Sequence, residues 1–146
     1  SFDVVWSEDS FLHAPNREAV LREAKRVLKP GGDLIFTDPM QHKDAPTDAL
    51  QPVYDRIHLD SLASFEFYRE TLGKLGFDEV EIMDLSEYLP LHYGRVRAEL
   101  LGRYDDIVQL ASQAYVDRML NGLEVWVKFG SKGYLAWGIL HFRKRA

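Results

Sequence analysis

The stretch "WSEDSFLHAP", Trp6 to Pro15, follows a short apolar run and gathers Ser7, Glu8, Asp9, Ser10 and His13. If the chain makes a helical turn from Ser7 to His13, Asp9 and His13 share a face. Asp9 could then orient or charge-stabilise the imidazole. A histidine titrating near neutrality can accept a proton or gate a site. Plainer roles stay open: His13 as a turn cap, Asp9 as an N-cap or turn residue. A second candidate is Arg56 in "YDRIHL". A planar, always charged guanidinium suits bidentate capture of a carboxylate. Tyr54 and His58 flank it and could line the same wall. The alternative for Arg56 is a surface ion pair with Asp55 or Asp60.

The elements that must position these groups follow from pattern. "FDVVW" (Phe2 to Trp6) reads as a buried strand. Asn16 fits an N-cap for a helix from Arg17 to Leu28, whose stripe is Val20, Leu21, Ala24, Val27 and Leu28. "KPGG" stops that helix, and "DLIFTD" (Asp33 to Asp38) is the next strand. Strand, helix, glycine turn and strand make one βαβ unit with parallel strands. Pro39 to Pro52 is a polar loop, and Tyr54 to Asp60 is ambiguous, with a short helix as one reading. Ser61 to Leu75 reads as a helix with Leu62, Phe65, Tyr68, Leu72 and Leu75 inward, ended by Gly76. "FDEVEIMDL" (Phe77 to Leu85) is a third strand. Tyr88 to Tyr104 and Ser112 to Lys128 read as amphipathic helices inserted before a last strand, Tyr134 to Arg145. Trp137, inside that strand, reads as core. The whole predicts an α/β chain, the second half of a doubly wound, mainly parallel sheet. Such sheets bind ligands outside the carboxyl ends of the strands, where "WSEDSFLHAP" and the Asp38-Pro39-Met40 loop fall.

Composition bounds the rest. The chain has 146 residues, enough for one partial or complete domain, with 46% hydrophobic and 28% charged residues and a net charge of −5. An acidic balance argues against a phosphate-backbone binder. No cysteine is present, which removes thiolate nucleophiles, disulfides and Cys-based zinc sites. No His/Asp/Glu cluster has metal-ligand spacing, His42 and His141 are isolated, and no G-x-S-x-G elbow occurs. No apolar run approaches membrane-spanning length, and a cytoplasmic location is the default expectation.

"FDVVWSEDSFLH" followed by a helix and "RVLKPGGDLIFTDPM" resembles the second half of class I S-adenosylmethionine-dependent methyltransferases. "QPVYDRIHL", "HYGRVRAEL" and "LAWGILHFRK" extend the resemblance to sarcosine/dimethylglycine N-methyltransferases, from Phe2 to Lys144. Phosphoethanolamine methyltransferases share the pattern Ser-x-Asp-x-x-x-His, here Ser7, Asp9 and His13. The resemblance implies methylation of sarcosine and dimethylglycine towards glycine betaine by a longer parent. It implies His13 and Asp9 as the catalytic pair, with Asp9 contacting the substrate ammonium. Trp6, Ser7 and Glu8 would border S-adenosylmethionine. An inserted helical region, about 86–130, would roof the pocket and carry His92, Tyr93 and Trp126 as an aromatic wall for a methylated ammonium. Aromatic residues at helical spacing equally make core. Arg56, with Tyr54 and His58, would hold the substrate carboxylate. The family's glycine-rich cofactor loop has no counterpart here, so the chain reads as beginning at the fourth strand of the family's sheet and as inactive alone.

Two other readings stay open. One is an enzyme of the same fold acting on phosphoethanolamine or another small molecule. The other is an inert piece that associates as a homodimer through an exposed sheet edge.

Overall fold

The computed structural model describes all 146 residues. Strand β1 (Phe2–Glu8) and helix α1 (Arg17–Val27) are joined by a single 3₁₀ turn, Phe11–His13. The Asn16 side chain accepts from the Ala19 amide and so caps α1 as the sequence predicts. The chain passes directly from α1 into β2 (Leu28–Thr37), which absorbs "KPGG" as its irregular first turn, with Gly31 at φ 78°. β1 and β2 are parallel, with Val4 opposite Asp33 and Glu8 opposite Thr37.

The segment expected as a loop contains more structure. Short β3 (Met40–Gln41) is followed by a 3₁₀ turn and α2 (Gln51–Ile57). Helix α3 (Phe65–Lys74) starts at Ser64, whose hydroxyl accepts from the Phe67 amide, rather than at Ser61. Strand β4 (Phe77–Asp84) follows Gly76, which sits at φ 94°. Three helices come next: α4 (Tyr88–Gly102), a short α5 (Tyr104–Leu110) that the two-helix reading omitted, and α6 (Gln113–Ser131). The last strand is broken at Trp137 into β5 (Leu135–Ala136) and β6 (Gly138–Lys144).

The main sheet has the order β1-β2-β6-β4, and β6 runs antiparallel to both neighbours. Its core face is Leu34, Phe36, Leu140 and Phe142, packed by Leu21 and Ala24 of α1 and by Phe65, Tyr68 and Leu72 of α3. Each such buried apolar side chain contributes about 1.5–3 kcal/mol. β1 is not the buried strand expected from its composition. It lies at a sheet edge, and the face opposite the helices leaves Val4 51% and Trp6 60% exposed. A second cluster, with Leu12, Leu50, Val53, Tyr54, Leu89, Trp126, Phe129 and Leu135, ties α2, α4 and α6 to the carboxyl end of the sheet. No helix is long and apolar enough to cross a membrane.

Candidate functional site

The polar strand end is organised by the last residue of β2, Thr37, and the residue after it, Asp38. Thr37 holds Asp9: its Oγ1 donates to Asp9 Oδ1 (2.8 Å), while the Asp9 amide donates to the Thr37 carbonyl (3.0 Å). The next residue, Asp38, is fully buried and holds the following turn. The Leu12 amide donates to its Oδ1 (3.0 Å), and the Tyr68 hydroxyl donates to its Oδ2 (2.6 Å). Burial raises the Asp38 carboxyl to about 6, against the opposing pull of Tyr68, the Leu12 amide and Arg17. Burial and the neighbouring Asp38 push the Tyr68 phenol well above its ordinary value. Neither Asp38 nor Tyr68 stood out in the sequence as a site residue.

Asp9 does not form a helical turn with His13. It adopts φ 48°, a left-handed conformation that Asp tolerates better than most residues, and this turns the chain out of the strand. Its Oδ1 receives a second hydrogen bond from Trp137 Nε1 (3.0 Å). Its Oδ2 has no protein donor. His13 ends the 3₁₀ turn, exposed, and is not part of the pocket that Asp9 lines. The expected Asp9–His13 pairing is therefore absent, because the φ > 0 residue and the 3₁₀ turn break the helical spacing.

A pocket of about 330 Å³ opens in front of Asp9, lined also by Glu8, Tyr88, His92, Tyr93 and Trp137. Two carboxylates thus face four aromatic or imidazole rings. His92 and Tyr93 fall where the sequence reading put them. Trp126 stands behind the wall: it is buried and stacks on Tyr93 at 5.3 Å between centroids. Burial, with the Asp9 charge beside it, raises the Tyr93 phenol. Trp137 corrects the expectation of a core residue. Its amide donates to Ser86 Oγ (3.2 Å), which interrupts the strand and turns the indole towards Asp9. Tyr88, at the first turn of α4, was also missed; the only signal was its position just after a strand.

Arg56 and His58 lie elsewhere, in a groove of about 570 Å³ between α2 and α6 with Arg118, Asn121 and Gly122. Arg56 forms no ion pair with Asp55 or Asp60; Asp55 instead accepts from Gln51 Nε2 (2.7 Å). His58 caps α2 in the left-handed conformation at φ 56°. Tyr54 does not share this wall. It is buried, and its hydroxyl donates to Gln41 Oε1 (2.6 Å). Groove and pocket share no lining residue. On α6, Val125 lines the groove and the next residue, Trp126, stacks on the pocket's Tyr93. Trp6, Ser7 and Glu8 stand at the carboxyl end of β1, with Trp6 and Glu8 exposed and Ser7 half-buried.

The chain is similar to several known proteins. A family described as "Methyltransferase domain" matches residues 1–36. The chain is 56% identical over 143 residues to the sarcosine/dimethylglycine N-methyltransferase of Halorhodospira halochloris, covering 98% of this chain and 51% of that protein. It is 51% identical over 144 residues to the enzyme of the same name from Aphanothece halophytica, covering 99% of this chain and 52% of that protein. The chain spans about half the length of the curated relatives it matches. A crystal structure provisionally named a sarcosine dimethylglycine methyltransferase, from Galdieria sulphuraria, superposes with TM-score 0.94 at 37% identity, over 99% of this chain and 53% of that one. Phosphoethanolamine N-methyltransferase 2 of Haemonchus contortus shares the fold with TM-score 0.87 at 20% identity, over 100% of this chain and 34% of that one. The fold is the α/β, Rossmann-like fold of methyltransferases, and the resemblance to sarcosine/dimethylglycine N-methyltransferases runs through nearly the whole chain.

Proposed function

We propose that the protein carrying this chain is an S-adenosylmethionine-dependent N-methyltransferase that converts sarcosine and dimethylglycine towards glycine betaine. The observation that carries this reading is the pocket in front of Asp9, where a carboxylate with one unpartnered oxygen is surrounded by Tyr88, His92, Tyr93 and Trp137. The high identity to enzymes of that name supports it.

The chemistry suits the pocket. A protonated sarcosine nitrogen carries two N–H donors, dimethylglycine one and the quaternary product none. Asp9 Oδ2 accepts from the first two, while ring faces attract all three cations. Each methyl added therefore shifts the holding force from hydrogen bonding to cation–π attraction. The chain's task is to fix the nitrogen in line for displacement and exclude water from it. The methyl donor supplies an electrophilic methyl group on a sulfonium. Its implied wall is Trp6, Ser7 and Glu8, where an exposed indole and a carboxylate suit an adenine ring and an ammonium group. His13 remains our candidate for a proton acceptor or gate reached from solvent. We assign Arg56 to the substrate carboxylate, with His58 beside it. Because the groove and the pocket share no lining residue, capture by Arg56 of the carboxylate of a substrate whose nitrogen sits at Asp9 requires the side chains between them to re-pack.

Incubating the protein with labelled methyl donor and glycine, sarcosine, dimethylglycine and phosphoethanolamine tests the reading. Label should enter sarcosine and dimethylglycine, and Arg56→Ala should raise KM for both about tenfold or more. Methylation of phosphoethanolamine alone would overturn it. That arm matters because Arg118 adds a second guanidinium to the groove, a feature that also favours a doubly charged phosphate.

A further inference from the structure

Helix α6 carries a buried glycine, Gly122, in its interior, where glycine disfavours a helix relative to alanine. A methyl group on that residue would lie 1.9 Å from Arg56 Nε, 2.6 Å from its Cδ and 3.0 Å from its Cζ. The root of the guanidinium therefore occupies the space of the missing Cβ. Arg56 is exposed and has no acidic partner, so this seat on α6 is what fixes its direction. Arg118, one helical turn earlier on the same face, lines the same groove and also forms no ion pair. The two guanidinium groups share the groove with one carboxylate, Asp55, whose Oδ1 accepts from Gln51 and which forms no ion pair with either, so the lining keeps an excess of positive charge that suits an anion.

We propose that Gly122 is a positioning residue that seats Arg56 against α6, and that Arg118 is the second cation for the substrate carboxylate. This rests on the assignment of Arg56 to that carboxylate. Any side chain at position 122 must push the guanidinium off the helix, whatever its polarity. Arg118 then stands alone, and a carboxylate loses its two-sided grip.

The test is a set of kinetic variants in the enzyme carrying the chain, with dimethylglycine as substrate. Gly122→Ala should raise KM about tenfold with kcat nearly unchanged, the pattern of lost uniform binding. Arg118→Gln should raise KM several-fold. In an Arg56→Ala background, Gly122→Ala should add nothing to KM, and it should raise Tm by removing the helical glycine. An unchanged KM in Arg56→Ala removes the underlying assignment. A raised KM in Arg56→Ala together with wild-type KM in Gly122→Ala overturns the positioning role alone. Wild-type KM in Arg118→Gln overturns the second cation. Should Gly122→Ala fail to fold alone, the Arg56→Ala/Gly122→Ala pair still decides, because a fall in its Tm refutes the claim that Arg56 fills the glycine's space.

Discussion

Asp38→Asn isolates the group that anchors the site from below. Asp38 has no solvent exposure, and burial raises its carboxyl from the ordinary 3.8 to about 6. At about 1.4 kcal/mol per pH unit, that displacement corresponds to about 3 kcal/mol. The folded value lies above the unfolded one, so the folded state binds the extra proton between about pH 4 and pH 6. The contribution to stability is fully present below about pH 4 and is lost as pH rises through about 6. Asparagine keeps an acceptor for the Leu12 amide and offers its NH₂ to the Tyr68 oxygen, so the geometry survives without the titration. The assay is urea unfolding of both proteins at pH 4, 5, 6 and 7, with free energies from linear extrapolation. The difference between variant and wild type cancels every other titrating group. It should move in favour of asparagine by about 3 kcal/mol from the acid end to the neutral end. Tyr68→Phe removes the hydroxyl that holds the wild-type value down and should shift the window to higher pH. A difference that stays flat across this range would refute the reasoning.

Two further substitutions probe the pocket and its frame. Trp137→Phe keeps a ring face but deletes the Nε1 donor to Asp9, and should lower kcat/KM about five- to tenfold for about 1 kcal/mol of lost hydrogen bonding; steady-state kinetics at wild-type levels would sink that role. Gly138→Ala would bring a Cβ to 2.2 Å from the Met83 carbonyl oxygen and 2.9 Å from Phe65 Cζ. It should cost roughly 1–3 kcal/mol in chemical denaturation, and an unchanged midpoint would show that β4 and β6 can spread there.

Local signals were legible wherever a residue acts on its own neighbours. Asn16 caps α1, Gly76 ends the α3 segment at positive φ, and all five inward positions predicted for that segment, Leu62, Phe65, Tyr68, Leu72 and Leu75, are buried. The resemblance carried His92, Tyr93 and Asp9 to one pocket. What stayed hidden depends on distant partners. "YLAWGILHF" reads as one strand because nothing within it reveals that Ser86 captures the Trp137 amide or that the Met83 carbonyl leaves no room for a side chain at Gly138. Asp38 looked like loop polarity, since its burial comes from the Phe11–His13 turn and Tyr68 closing over it. Arg56 and Gly122 are far apart in sequence, yet a glycine in the middle of an amphipathic helix was a readable sign of close approach.

The same geometry links anchoring to chemistry. Thr37 is the last residue of β2 and Asp38 the first beyond it. One fixes Asp9 and the other fixes the turn after it. Asp9 is thereby held at both its amide and its Oδ1, with Trp137 as the second donor. Both donors go to the same oxygen, which leaves Oδ2 free to accept. A carboxylate fixed this way does not need to reorganise when an ammonium arrives, and preorganised charge is worth more than charge that must be turned. The proton is the obstacle in this chemistry, since the nitrogen attacks only once its lone pair is free. A carboxylate that grips the N–H too well would hold the substrate in the unreactive form. In the proposed reaction Trp137 holds Asp9 through Oδ1, and its ring adds to the pocket's attraction for a cation that has no N–H left.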